Sequence, residues 1–141
     1  MKYIIDSSVA FKWVVPESDS DKAERLRDNF RNGIDELLAP DVFSLELAHA
    51  LTRAERQGRI PVGQAGVLWA DVMIVPPQLY LSGSLTPRAI AISSAERVGV
   101  YDCLYVALAE REGCEFTTAD DRLVRNLQSR FPFIISLASL P

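Results

Sequence analysis

One histidine and two cysteines among 141 residues remove several chemistries at the outset. Cys103 and Cys114 are too few for a disulfide scaffold, and with a single histidine the chain has no Cys/His cluster of the kind that holds zinc. Both cysteines sit in apolar blocks and read as buried free thiols. A serine nucleophile has no support either, because there is no GxSxG elbow and His49 has no evident triad partner. No apolar run reaches membrane length, and Met1 to Asp6 lack the features of a secretion signal. A cytoplasmic protein with no membrane contact is the expectation. Positive charge is also scarce: the net charge of −4 argues against holding nucleic acid by bulk charge, although a metal ion or a local arginine rim can reverse the potential inside an acidic cleft.

What is present is a dense hydrophobic pattern, 48 % of the chain, in short blocks without linker, repeat or low-complexity segment. One domain covering residues 1–141 is expected. Tyr3-Ile4-Ile5 reads as a strand, followed by a short helix stopped at Pro16, and a helix from Asp19 to Asn32 buries Ala23, Leu26 and Phe30. Leu37-Leu38-Ala39 is a second strand, and Asp41 is placed to cap a helix running to Gln57. A helix over Val62–Ala70, with Pro61 in its first turn, and a third strand at Val72–Val75 follow. Helices from Pro87 to Val98, broken at Gly99, and from Asp102 to Gly113 precede a strand at Cys114–Thr117. Asp120–Ser129 is a last helix and Phe133-Ile134-Ile135 a last strand. Strands separated by helices, with little strict alternation, predict an α/β fold: a three-layer α/β/α sandwich around a mostly parallel sheet of four or five strands.

Asp6, Glu46, Asp102 and Asp120 stand where elements begin or end. In an open parallel sheet, ligands bind beyond the carboxyl ends of the strands, so one sheet edge can collect all four. Four carboxylates in one cleft repel one another unless a cation joins them, and all-oxygen donors suit Mg²⁺, with Mn²⁺ as a substitute. Asp102 and Asp120 also suit helix starts, and Glu46 suits a solvent face; Asp6, directly after an apolar strand, is harder to explain as surface. Ser8 and Thr118 are placed to orient Asp6 and Asp120, or else to cap turns. Glu46, His49 and Arg53 form one polar helical stripe, making His49 and Arg53, together with Arg122, candidates for contact with a phosphate backbone. The aromatic stretch at Phe11 and Trp13, and the region of Trp69, serve either core packing or a partner groove.

Tyr3-Ile4-Ile5-Asp6-Ser7-Ser8-Val9-Ala10, Ala39-Pro40-Asp41 through Leu45-Glu46 to Ala50-Leu51, Tyr101-Asp102-Cys103-Leu104-Tyr105-Val106-Ala107-Leu108-Ala109 and Thr117-Thr118-Ala119-Asp120-Asp121-Arg122-Leu123 occur in the order found in PIN-domain ribonucleases. The chain resembles that family over essentially its full length, and especially the VapC-type toxins of prokaryotic toxin–antitoxin pairs. The third motif is the closest match. His49 departs from the pattern, since relatives often place asparagine there. The alignment favours Asp120 over Asp121 as the main fourth carboxylate, with Asp121 auxiliary or at the rim. The resemblance implies metal-dependent endoribonuclease activity, usually in a homodimer, restrained by a VapB-type antitoxin that wraps the toxin in a hetero-oligomer. A metal-dependent phosphatase and a noncatalytic PIN-like binding module are the competing readings. The first would need a smaller pocket; the second would be expected to have lost part of the acidic set.

Overall fold

A computed structural model describes all residues from Met1 to Pro141. Five strands, β1 (Lys2–Ile5), β2 (Glu36–Pro40), β3 (Gln78–Tyr80), β4 (Glu115–Thr118) and β5 (Ile134–Ser136), form one parallel sheet in the order β3-β2-β1-β4-β5. Seven helices connect them: α1 (Ser7–Val14) and α2 (Ser20–Arg31) after β1, α3 (Phe43–Arg56) and α4 (Gln64–Ile74) after β2, α5 (Thr86–Glu96) and α6 (Val100–Glu112) after β3, and α7 (Asp121–Leu127) after β4. Because parallel crossovers are right-handed, the reversal of direction after β3 carries α5 to α7 to the face opposite α1 to α4. The α/β/α sandwich expected from the sequence is the observed fold.

Burial explains why the strand pattern does not alternate. Ile4, Ile5, Leu37, Leu38, Ala39 and Phe116 are sealed from solvent, as strands covered on both faces require. Tyr105 of α6 lies across the middle of the sheet, its ring stacked on Phe116 with centroids 5.6 Å apart. Phe11 and Trp13 belong to this core, and Trp13 donates its indole N–H to the Ala23 carbonyl at 2.8 Å. Packing, rather than a partner groove, accounts for that aromatic stretch. Trp69 is half-buried and donates to the Ser44 carbonyl at 2.9 Å, pinning α4 to the start of α3.

Several details differ from the sequence expectation. Val72 to Ile74 continue α4 instead of forming the third strand, which follows the proline pair as Gln78–Tyr80. Pro61 consequently precedes α4, which starts at Gln64 behind Gly63 in a left-handed turn (φ 88°). Asp41 does not cap α3; its carboxylate instead accepts from the Ser82 hydroxyl, and Val42 occupies the cap position. Gly99 does not end α5 either: Arg97 does so, in the left-handed region at φ 59°. Cys103 is buried as expected, whereas Cys114 is only partly so. No helix is long and apolar enough to cross a membrane.

Candidate active site

The strand order reverses between β1 and β4, and a crevice opens there beyond their carboxyl ends. Asp6 follows β1 directly and caps α1, its Oδ1 accepting from the Ser8 backbone N–H at 3.1 Å. The Ser8 hydroxyl donates to the same oxygen at 2.5 Å, and the Thr118 hydroxyl donates to Oδ2 at 2.6 Å. Thr118 closes β4, and its Oγ1 accepts from the Asp120 backbone N–H at 3.1 Å, while Ser8 Oγ accepts from the Ala119 N–H at 2.9 Å. Two small hydroxyls thus knot the ends of neighbouring strands around one carboxylate. Ser8 and Thr118, expected to orient Asp6 and Asp120 or else to cap turns, both donate to the Asp6 carboxylate.

The other acids arrive from three helices. Asp120 caps α7, its Oδ1 accepting from the N–H groups of Arg122 (3.1 Å) and Leu123 (3.3 Å), which leaves Oδ2 free. Glu46 stands in the first turn of α3, and its Oε1 accepts from the Tyr105 hydroxyl at 2.5 Å. Asp102, in the first turn of α6, is not that helix's cap, which is Gly99. Asp121 begins α7 and is exposed.

Burial and mutual repulsion set the ionisation of this group. Burial pushes the Asp6 carboxyl up to about 7; the Ser8 and Thr118 hydrogen bonds oppose the rise, and Asp102 and Glu46 add to it. Glu46 is raised by burial and by Asp102, against the Tyr105 hydrogen bond. Asp102 is raised by burial and then by Asp120, with the positive charge of Arg122 working the other way. The four carboxylates therefore sense one another in a chain across the crevice floor. No three of the acidic, histidine or cysteine side chains close into a ready-made cage for an ion. Burial, aided by Glu46, keeps the Tyr105 phenol protonated, so it remains a hydrogen-bond donor. The Cys103 thiol is pushed up to about 11 by burial and is unreactive at neutral pH.

A cleft of about 910 Å³ leads away from this floor along α3, lined by Ser8, Glu46, His49, Arg53, Arg59 and Asp120 among others. The Glu46–His49–Arg53 stripe faces into it. Farther along, Glu17 takes a 2.6 Å ion pair from Arg59 and a 3.2 Å one from Lys12, so two of the cleft's cations share one counter-charge. His49 and Arg53 form no salt bridge within the chain. On the far side of Asp120 lies a smaller cavity of about 240 Å³, bounded by Arg97, Asp102, Arg122 and Asn126.

Two residues in this arrangement escaped the sequence reading. Tyr105 stands three residues after Asp102, one helical turn on, but within an apolar run it reads as core. Arg97 was hidden by Gly99, the more obvious terminator.

Comparison with known proteins gives a consistent result. The PIN domain family model matches residues 3–126. Ribonuclease VapC3 of Pyrobaculum aerophilum is 30 % identical over 140 residues, covering 96 % of this chain and 99 % of its own. Ribonuclease VapC3 of Mycobacterium tuberculosis is 30 % identical over 122 residues, 86 % of this chain and 85 % of the relative. Among solved structures, PAE2754 from P. aerophilum superposes with a TM-score of 0.69 at 20 % identity over 99 % of this chain and 94 % of that one. VapBC2 from Rickettsia felis, bound to a DNA fragment from its promoter, gives 0.64 at 12 % identity, with 96 % and 97 % covered.

Proposed function

The chain belongs to the PIN-domain family and is homologous to VapC3-type ribonucleases, and on that premise we propose that it is a Mg²⁺-dependent endoribonuclease of a toxin–antitoxin pair. What supports the reading is that acids from positions far apart in the chain stand close enough to act on one another: Asp102 and Glu46 raise the proton affinity of Asp6, Asp102 raises that of Glu46, and Asp120 raises that of Asp102. Buried like charges without a counter-ion are unfavourable, and every donor in the set is a carboxylate oxygen, so the site's chemistry fits a hard divalent cation.

Glu46 Oε2, Asp120 Oδ2 and both oxygens of Asp102 have no partner within the chain, so these residues would hold the ion, together with Asp6. When bound, Mg²⁺ or Mn²⁺ supplies a Lewis acid for the phosphate and lowers the pKa of water. Ser8 and Thr118 fix the plane of the Asp6 carboxylate, and Tyr105 fixes that of Glu46. His49 and Arg53 on one side, and Arg122 on the other, hold backbone phosphates so that the strand lies across the acids. The long open cleft favours a polymer over a small phosphate ester, and the complete acidic set disfavours a noncatalytic module. The apolar side chains exposed on α4 and near β3 (Val67, Ile74, Leu79 and Leu81) provide contact surface for a second copy or for a VapB-type antitoxin.

The test is cleavage of single-stranded and structured RNA by antitoxin-free protein in Mg²⁺, in Mn²⁺ and in EDTA, beside a folded Asp6→Asn variant. Cleavage that needs the metal and vanishes in Asp6→Asn is expected. Metal-independent cleavage, or full activity in the variant, would overturn the assignment.

A further inference from the structure

Arg97 adopts a backbone conformation that the rest of the chain reserves for other residues. Gly33, Gly58, Gly63 and Gly113 take positive φ, and the only non-glycine residues to do so are Asp19 and Arg97. Aspartate tolerates the left-handed region, but a long side chain there is strained by its Cβ against the following carbonyl oxygen. Gly113 ends α6 at φ 64° and ψ 39°, and Arg97 ends α5 at nearly the same angles, 59° and 43°. The turn is held on both sides: the Arg97 N–H donates to the Ser93 carbonyl at 2.8 Å, and the Ser93 hydroxyl donates to the Val98 carbonyl at 2.6 Å. Glycine would satisfy every backbone requirement of this turn. The conformation therefore points to a use for the side chain.

That side chain borders the 240 Å³ cavity, whose other walls include Arg122, Asn126 and the carboxylates of Asp102 and Asp120. Nine salt bridges tie up cations elsewhere on the molecule, and none involves Arg97 or Arg122. Arg122 lies close enough to Asp102 for its charge to be felt there. The cavity shares Asp120 with the long cleft, so the acidic floor stands between two cation-bearing recesses.

We propose that Arg97 and Arg122 form a phosphate-binding subsite that grips the RNA backbone next to the scissile bond, on the side of Asp120 opposite the α3 cleft. This rests on the ribonuclease reading. A strand crossing the floor is then held on both flanks, by His49 and Arg53 on one and by the two arginines on the other. Asn126 offers an amide N–H₂ to the same anion.

The decisive variant is Arg97→Gly, which removes the cation and relieves the backbone together. Fluorescence anisotropy with a short labelled uridine oligoribonucleotide, in Ca²⁺ across a salt series, compares wild type, Arg97→Gly, Arg97→Lys, Arg122→Ala and the remote control Arg25→Ala. Arg97→Gly should melt no lower than wild type yet bind RNA about tenfold more weakly, with the slope of log affinity against log salt reduced by about 0.7. Arg97→Lys should retain most of the affinity, Arg122→Ala should follow Arg97→Gly, and Arg25→Ala should match wild type. If wild type binds and Arg97→Gly binds equally well with an unchanged slope, the subsite is wrong and the ribonuclease reading survives. Wild type that binds no RNA overturns both.

Discussion

Asp6 and Arg27 are buried to nearly the same degree, 8 % and 7 % exposed, yet their surroundings differ in kind. Arg27 of α2 meets an opposite charge: its Nη2 lies 3.4 Å from the Asp71 carboxylate and 3.3 Å from the Asp71 carbonyl on α4, and its guanidinium lies over the Trp13 ring at 5.1 Å. Asp6 meets only neutral donors, with further carboxylates beyond them. An unpaired buried charge is unfavourable in either place. The fold supplies the counter-charge where the residue joins helices and supplies none at Asp6, where the proposed function calls for a cation. A buried charge is a marker of function here only when its partners fail to neutralise it.

Neutralising one of the crowded acids is the strongest way to test that distinction. Asp102→Asn should lower RNA cleavage by about a hundredfold or more while melting at the same or a higher temperature in EDTA, because it removes repulsion. A variant that loses activity only in step with stability would make the acid structural. The opposite pattern is expected at Arg27. Arg27→Ala should cost about 2 kcal/mol through lost packing on Trp13 and the lost tie to α4, whereas Arg27→Met should recover most of it. Both should cleave normally at temperatures where they are folded; denaturant melts beside activity assays would expose any failure.

A smaller effect is expected at Tyr105. Its hydroxyl holds one oxygen of Glu46 and leaves the other free, so Tyr105→Phe keeps the ring on Phe116 while releasing the carboxylate. Mn²⁺ affinity, followed by electron paramagnetic resonance, should weaken by about tenfold in the wild-type background and change little in Glu46→Ala. Equal or tighter binding in Tyr105→Phe would mean that the phenol competes with the ion instead of preparing its site.

The comparison also extends to pH. The folded protein holds Asp6 protonated up to about pH 7, far above where the unfolded chain releases that proton, so metal-free stability falls as pH rises from about 4 through 7. Glu46 and Asp102 shift in the same direction. A cation that displaces the proton reverses the trend, so the rise in melting temperature on adding Mg²⁺ should be larger at pH 8 than at pH 6. A pH-independent rise would detach the ion from these carboxyls.

How much of this was legible in the sequence depended on whether the deciding interaction was local. Asp6 and Asp120 stood out because each directly follows a buried strand or opens a helix, and the motif order linked them to Glu46 and Asp102. Ser8 and Thr118 were legible as short hydroxyl neighbours of those acids. Val72 to Ile74 misled because a short β-branched run suits a strand and a helix equally; α4 claims it through packing, and the edge strand needs only Gln78–Tyr80 beyond the prolines. Tyr105 was not legible because its hydroxyl meets Glu46, a partner 59 positions away. Arg97 was masked by a local rule that glycine ends helices, which this turn does not follow.

The hydroxyl knot around Asp6 has a consequence for the order in which the protein is made. Ser8 leaves the ribosome 110 positions ahead of the Thr118 to which it is tied. In between, the nascent chain carries Asp6, then Glu46 and Asp102, but neither the β4 strand that aligns Asp6 nor the Asp120 beside it. The crevice floor therefore cannot assemble until synthesis has passed Thr118 and Asp120. A chain released before Thr118 would lack Asp120 and the means to align Asp6.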